Sequence, residues 1–404
     1  MTSRQRVLAA VNHQKPDRTP IDVGGSRVTG ISVFAYTELR RFAGLEDRPS
    51  RVYDMFQMLA EVEEDFRQRF HIDVAPVPQY RPAFGLAVDA WKPWQLWDGT
   101  PVMVPQGFEP TIDPSGDILI RNFGDPDGPF AGRMPREGYY FDMIGDTGMS
   151  ASLTLPDPSE YARSLRPLDD EELDFAARIS RELYDTTDYA LLGEFWAGGL
   201  GLPLSFGDQM IALATEREWC RDILQAQADN AIESARRYHQ AVGDRCVAWL
   251  ISGHDYGTQK GELFHPDLFA DLFAPAFKRV NDWVHEHTSA KTFYHSCGSN
   301  RAILETFVEM GCDIFNPVQV TAANMDAREL ADQFRGRLVF WGGGVNTQST
   351  LPNGTPGEVA RQAVERCRIF GESGGYVFNA IHNIQARTPA ENLAAMLDAV
   401  YEEG

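Results

Sequence analysis

No stretch of the 404 residues approaches the roughly 20 consecutive apolar side chains that a membrane-spanning helix needs. Positive charge is scarce as well: 37 Lys and Arg stand against 58 Asp and Glu, a formal net charge of −21. Such a surface repels both a nucleic-acid backbone and anionic lipid headgroups, so neither nucleic acid nor a membrane is expected as a partner. Cysteine is sparse and odd in number. The five thiols (Cys220, Cys246, Cys297, Cys312 and Cys367) are scattered in a way that does not resemble a secreted disulfide framework, and they are read as reduced. Met1 to His13 has Arg4 and Arg6 but no continuous apolar run behind them, so no secretion signal is read and a cytoplasmic location is expected. Low-complexity runs and internal repeats are absent. What is present, 43% hydrophobic and 24% charged residues, is the composition of a globular chain with a large core, either two or three domains or one decorated barrel.

Eight short apolar runs rich in β-branched and aromatic residues read as buried parallel strands: Thr19 to Gly24, Ile72 to Val77, Tyr189 to Phe195, Cys246 to Ser252, Lys291 to His295, Asp313 to Pro317, Leu338 to Gly342 and Gly375 to Ala380. Amphipathic helical patterns lie between most of them. Pro266 to Glu286 carries apolar residues at three- and four-residue steps, and Thr355 to Phe370 opens with an N-cap Thr355, a first-turn Pro356 and an acidic Glu358. Strands alternating with helices in this number predict an α/β fold, a distorted (β/α)8 barrel of the TIM type. An open doubly wound sheet would favour a G-x-G-x-x-G turn after the first strand, and Gly24-Gly25-Ser26 lacks that spacing. Residues 79–152, rich in Pro, Gly, Asp and aromatics, are too long for a structureless loop. The expected organisation is one barrel over 1–404 with 79–152 as a β-rich cap inserted after the second strand. Trp91, Trp94 and Trp97 are read as the cap's own small core or as a ligand-stacking surface.

Barrel enzymes carry their reactive groups at the C-terminal ends of strands, and here those ends are unusually polar. His295 and Cys297 are two apart, so on an extended strand end they point the same way. Imidazole and thiolate together suit Zn²⁺, and His382 at the eighth strand end is the third candidate, with Glu194 as a fourth or exchangeable ligand. A buried cysteine beside a hydrogen-bonded histidine is the plain structural alternative. His254 and Asp255 could form an oriented general base, or Asp255 could cap local backbone groups. Glu194, set among apolar neighbours, is a catalytic candidate whose pKa should be raised, or simply a charge turned to solvent. Phe195, Trp196, Gln259, Asn316, Asn346 and Asn379 are the expected substrate-binding positions. Gly342-Gly343-Gly344 reads as an anion-binding run of N–H groups or as a tight turn.

Five segments in order resemble the uroporphyrinogen decarboxylase superfamily, in the branch that includes corrinoid-dependent methyltransferases: Arg4 to Val23, Asp255 to Gly261 (DYGTQKG), Tyr294 to Gly298 (YHSCG), Phe340 to Asn346 (FWGGGVN) and Gly374 to Glu391. The resemblance implies a distorted barrel in which a His-x-Cys pair, here His295 and Cys297, and a late cysteine bind zinc. His382 stands at that late position, by alignment on Ile384, Thr388 and Pro389. A neutral third ligand leaves zinc about one charge more positive than a thiolate would, which favours a Lewis-acid role over thiol activation. The resemblance therefore implies methyl transfer between a small methylated compound, an aromatic methyl ether foremost, and a corrinoid protein. Transfer from methyl-corrinoid to a thiol or tetrahydrofolate, and decarboxylation of uroporphyrinogen, are the alternatives. No Asp-x-His-x-x-Gly run for holding the corrinoid occurs, so the corrinoid is expected on a separate protein docking over the mouth. A homodimer is a further expected assembly. The decarboxylase resemblance calls for an arginine-rich segment after the first strand, where this chain has the single Arg27.

Overall fold

The computed structural model describes residues 1–144, 153–195 and 200–403. Its strands are β1 (Ser50–Asp54), β2 (Leu59–Ala60), β3 (Val74–Val77), β4 (Trp91–Gln95), β5 (Pro101–Pro105), β6 (Thr111–Ile112), β7 (Ile118–Arg121), β8 (Phe130–Met134), β9 (Asp142–Met143), β10 (Ala190–Gly193), β11 (Cys246–Ser252), β12 (Lys291–His295), β13 (Ile314–Asn316), β14 (Val339–Trp341) and β15 (Tyr376–Val377). Seven of them form one parallel sheet in the order β15-β14-β13-β12-β11-β10-β3, curled as in a distorted TIM barrel. Every neighbouring pair in it is parallel, as helical crossovers require. The barrel interior is filled by side chains such as Val74, Leu192, Leu250, Phe293, Ile314 and Trp341, all fully buried.

The first expected strand, Thr19 to Gly24, does not form. In its place Ile21 makes a single parallel bridge to Phe378, and Asp73 N–H donates to the Ile21 carbonyl at 2.8 Å. Pro20 breaks the ladder here, since it has no N–H to give. The fully buried Asp73 compensates: its carboxylate accepts from Ile21 N–H at 2.9 Å and pairs with Arg6 and Arg18, each at 2.7 Å. The seam between β15 and β3 is thus closed by three backbone hydrogen bonds from residues 20–22, to Phe378 and Asp73, reinforced by one carboxylate and two guanidinium groups.

The cap differs from a self-contained insertion. Its hairpin β4–β5 joins β1, which precedes β3, in a sheet ordered β2-β1-β5-β4, and β6 to β9 form a second four-stranded sheet. The three tryptophans separate: Trp94 packs edge-on against Phe108, Trp97 against Phe34 and Tyr139, and Arg51 lies over Trp91. Of the helices, Pro356–Phe370 has the expected Thr355/Glu358 capping box. The Pro266 to Glu286 pattern is interrupted by a π-turn at Phe269–Phe273, which brings Phe269 and Phe273 against Tyr256 with ring centroids at 4.9 and 5.5 Å. No described helix is long and apolar enough to cross a membrane.

Asp73→Ala would take the carboxylate partner from the largely buried Arg18 and the acceptor from the Ile21 N–H, and would leave Arg6 paired with Asp17 alone. The expected cost is about 3–5 kcal/mol, measured by urea unfolding; a loss below about 1 kcal/mol would mean that the seam is held by other contacts.

Candidate metal centre

The DYGTQKG turn and the HSCG segment are clamped to each other. Cys297 N–H donates to Asp255 Oδ1 at 2.7 Å, Tyr256 N–H to Ser296 Oγ at 2.9 Å, and Ser299 N–H to the Thr258 carbonyl at 2.7 Å. The backbones touch so closely that a Cβ on Gly257 would lie 2.6 Å from the Cys297 carbonyl oxygen, and one on Gly298 2.5 Å from Gly257. Glycine at both positions is therefore a condition of the clamp. Because the chain is extended through His295, the Ser296 hydroxyl is available to Asn300 Oδ1 at 2.9 Å, while His295 and Cys297 come together.

His295 Nε2 lies 3.3 Å from Cys297 Sγ, and one ligand atom from each of His295, Cys297 and His382 falls within 4.8 Å of the others. The donors of a tetrahedral zinc site lie at most about 4 Å apart, so closing on an ion asks for a contraction of at most about 1 Å. One supporting contact is already right. His295 Nδ1 meets Asn316 Oδ1 at 2.5 Å, and Asn316 is oriented by its own Nδ2–H donation to the Trp341 carbonyl at 2.7 Å. This fixes the His295 proton on Nδ1 and leaves Nε2 bare toward Cys297, the tautomer a metal ligand needs. His382 is different: its Nδ1 accepts from Asn383 N–H at 2.7 Å, so metal ligation through Nε2 requires the ring to give up that bond. Burial lowers the pKa of His295, and burial together with His295 lowers that of His382 to about 4, so both rings are neutral near pH 7. Burial, with the Asp255 carboxylate adding to it, pushes the Cys297 thiol well up. A cation in the trio would reverse that last effect and release the proton.

The remaining expected residues are dispersed. Glu194 is not in the trio: it lies at the end of β10, where its Oε1 accepts Arg27 N–H at 2.5 Å and its Oε2 is buried with no hydrogen-bond partner. Asp255 faces His295 and Cys297, 3.7 Å from His295 Nε2, whereas the His254 ring lies toward Gly201, where an added Cβ would sit 3.2 Å from it. Phe195 is core, packed on Tyr238 and Trp249, and corrects the substrate-binding reading. Trp196 lies outside the described residues. Asn316 acts through His295, Asn346 closes a turn onto Gln348 N–H, and Asn379 is buried, tying Asp22 and Thr29 to the eighth strand end. Gln259 is exposed at the rim. The three glycines form the tight turn: Gly342, Gly343 and Gly344 N–H all donate to protein carbonyls, those of Val377, Pro317 and Asn379.

Two residues with a structural hold on the site were not singled out from sequence. Asn383, next to His382, donates to the Arg27 carbonyl at 2.9 Å and to Gln57 Oε1 at 2.8 Å, and Asp54 pairs with Arg27 at 2.9 Å. The adjacency of Asn383 to His382 was the available signal; Asp54 offered none, because its strand was not expected.

The strand ends, the HSCG clamp and the His382 turn can now be set beside known proteins. Residues 209–403 match the uroporphyrinogen decarboxylase (URO-D) family. Over that segment, just under half of its length, the chain is similar to the uroporphyrinogen decarboxylase family. Proteins named uroporphyrinogen decarboxylase, from Anaeromyxobacter dehalogenans and Anaeromyxobacter sp., are 35% and 33% identical over 164 and 161 residues, 40% of this chain in each case. The matched segments span 44% and 43% of those proteins, less than half of their length. The fold as a whole is similar to that of a methyltransferase from Methanosarcina mazei, with TM-score 0.59 and 18% identity over 100% of this chain and 99% of that one. All three members of the His–Cys–His trio fall inside the part matched by the superfamily, and Glu194 falls outside it.

Burial raises the Glu194 pKa to about 7, with Arg27 opposing. The folded chain then holds a proton that the unfolded chain releases above the ordinary value of 4.5, so this group lowers stability progressively from pH 4.5 to about 7. Glu194→Gln is expected to remove that decline. Its stability advantage should grow over this interval by about 3 kcal/mol and stay level above it. A difference independent of pH in urea titrations would contradict the assignment.

Proposed function

We propose that the protein is a zinc-dependent methyltransferase that moves a methyl group between a small methylated donor, most directly an aromatic methyl ether, and a corrinoid carried by a separate protein in the cytoplasm. The observation that carries this reading is the convergence of His295, Cys297 and His382 at the barrel mouth, with no fourth protein ligand joining the trio among the described residues. Three protein donors and an open position are the arrangement of a catalytic rather than a structural zinc site. The trio would hold the ion, and bound there it supplies Lewis-acid stabilisation of the oxygen that leaves as the methyl group departs. The fold likeness to a methyltransferase supports the same direction.

The chain's own residues have separate tasks in this scheme. Asn316 keeps the His295 proton on Nδ1 and the ring in place. Asp255, half exposed and bonded to Cys297 N–H, is the group able to pass a proton between solvent and the product oxygen. His254, its pKa lowered by burial, is neutral near pH 7 and has no extra proton to deliver.

The named relatives favour a second reading, decarboxylation of uroporphyrinogen. Against it stands Arg27, the single arginine after the first strand position. It is paired with Asp54 and hydrogen-bonded to Gln79 at 3.1 Å, so it is poorly placed to neutralise a polycarboxylate. One assay separates the readings. The zinc-loaded protein is mixed with a reduced corrinoid protein and a panel of methylated donors, and conversion of Co(I) to methyl-Co(III) is followed by absorbance. Conversion with at least one aromatic methyl ether, reduced about 100-fold or more in Cys297→Ser, is the expected result. No conversion with any donor, together with no demethylation of methyl-corrinoid by thiols or tetrahydrofolate, would overturn the proposal. Formation of coproporphyrinogen by the same preparation would establish the second reading.

A further inference from the structure

A cavity of about 360 Å³ lies between the barrel, the cap and the helix Asp170–Thr186, and none of His295, Cys297 and His382 lines it. Apolar side chains, among them Val62, Pro76, Val88, Trp91, Phe175 and Ile179, make up about half of its lining, and charged and polar groups make up the rest. That volume is at the lower end of small-molecule sites, which run from about 300 to 1,000 Å³. Two polar side chains that line it are buried and incomplete. Arg67 is 8% exposed and its Nε has no hydrogen-bond partner; the Tyr53 hydroxyl, on a residue 5% exposed, also has none.

Arg67 differs from the other two arginines that are buried in the described residues. Arg6 is paired with Asp73 and Asp17, and Arg40 with Asp65, whereas no carboxylate is paired with Arg67, whose guanidinium rests 5.6 Å from the centre of the Tyr189 ring. Asp22, the buried carboxylate whose charge Arg67 feels, has its oxygens taken by Gly25 N–H and the Trp341 indole N–H, both at 2.8 Å. A buried guanidinium without an anion is costly, and a second unsatisfied donor beside the same cavity repeats the pattern. The outer rim carries the exposed Arg51, Arg178, Asp89 and Glu182, with Glu61 partly exposed, so its charges nearly balance and the excess donor capacity sits at the buried end.

We propose that this cavity binds a small monocarboxylate with an apolar body, its carboxylate on Arg67 and the Tyr53 hydroxyl and its ring or chain between Phe175 and Trp91. A planar carboxylate matches the fork of a single guanidinium, and the apolar walls and the acidic groups at the rim disfavour a second negative charge. This is a site separate from the metal centre, and it stands whether or not the methyltransferase reading does.

Benzoate is a suitable probe and benzamide its neutral isostere, each titrated into the full chain by isothermal calorimetry. Benzoate is expected to bind with Kd below about 1 mM and benzamide at least about tenfold more weakly. Tyr53→Phe should weaken benzoate about five- to tenfold while the melting temperature holds or rises, because the variant removes a buried unsatisfied hydroxyl. Arg67→Gln should abolish binding, and Cys297→Ser should leave it unchanged. No heat with benzoate up to about 10 mM, equal affinity for benzoate and benzamide, or loss of binding in Cys297→Ser overturns the proposal. Should Arg67→Gln fail to fold, unchanged benzoate affinity in Tyr53→Phe does so on its own.

Discussion

The structure depends on how the barrel is closed where a strand is missing. The seven-stranded sheet is open between β15 and β3, and the segment around Ile21 fills that gap with one bridge to Phe378 and a few hydrogen bonds rather than a ladder. Asp73 makes this sufficient by placing a fully buried carboxylate against two arginines and the Ile21 N–H. The mouth is built on both sides of this seam: Asp22, Gly25 and Arg27 follow it in sequence, and Asn379, His382 and Asn383 come from the strand that borders it. The third metal-ligand candidate is thus held by the seam, whereas the first two, His295 at the end of β12 and Cys297 just past it, are held across the barrel.

Electrostatics at the mouth follow from burial. The low-dielectric setting keeps His295 and His382 neutral and holds the Cys297 proton on, so without a cation the trio carries no charge. A cation entering it meets two bare or releasable imidazole nitrogens and one thiol whose deprotonation it promotes, which couples loading to proton release. Glu194 and Asp54 form a second, distinct acidic cluster around Arg27, joined to the first through the Asn383 side chain and the Arg27 backbone. The two clusters are thus mechanically connected, although no ligand atom is shared.

Much of this was legible in the sequence, and the exceptions have physical causes. The seven parallel strands are short β-branched or aromatic runs buried on both faces, which periodicity and length reveal. The first position failed because a Pro and a side-chain acceptor replaced ladder hydrogen bonds, and both lie outside a hydropathy pattern. β1 escaped notice because Ser50-Arg51-Val52-Tyr53-Asp54 has little apolar character of its own and is ordered by pairing with β5, 50 residues on. His295, Cys297 and His382 were legible from strand-end position and ligand type. Glu194 stays out of the trio because chain position at the mouth does not say which neighbour a carboxylate reaches, and here the Arg27 backbone N–H holds it. Phe195 alternates away from Glu194 along the strand end and so falls into the outer core, a consequence of the two-residue period.

In the proposed centre, one imidazole–thiolate pair and a second imidazole would converge on a single ion. X-ray absorption spectroscopy at the zinc edge of the loaded protein tests it most directly. One sulfur at about 2.3 Å and two imidazole nitrogens at about 2.0 Å are expected, with the remaining position filled by a light atom from solvent or substrate. A spectrum without a sulfur shell, or with a single imidazole, would contradict it.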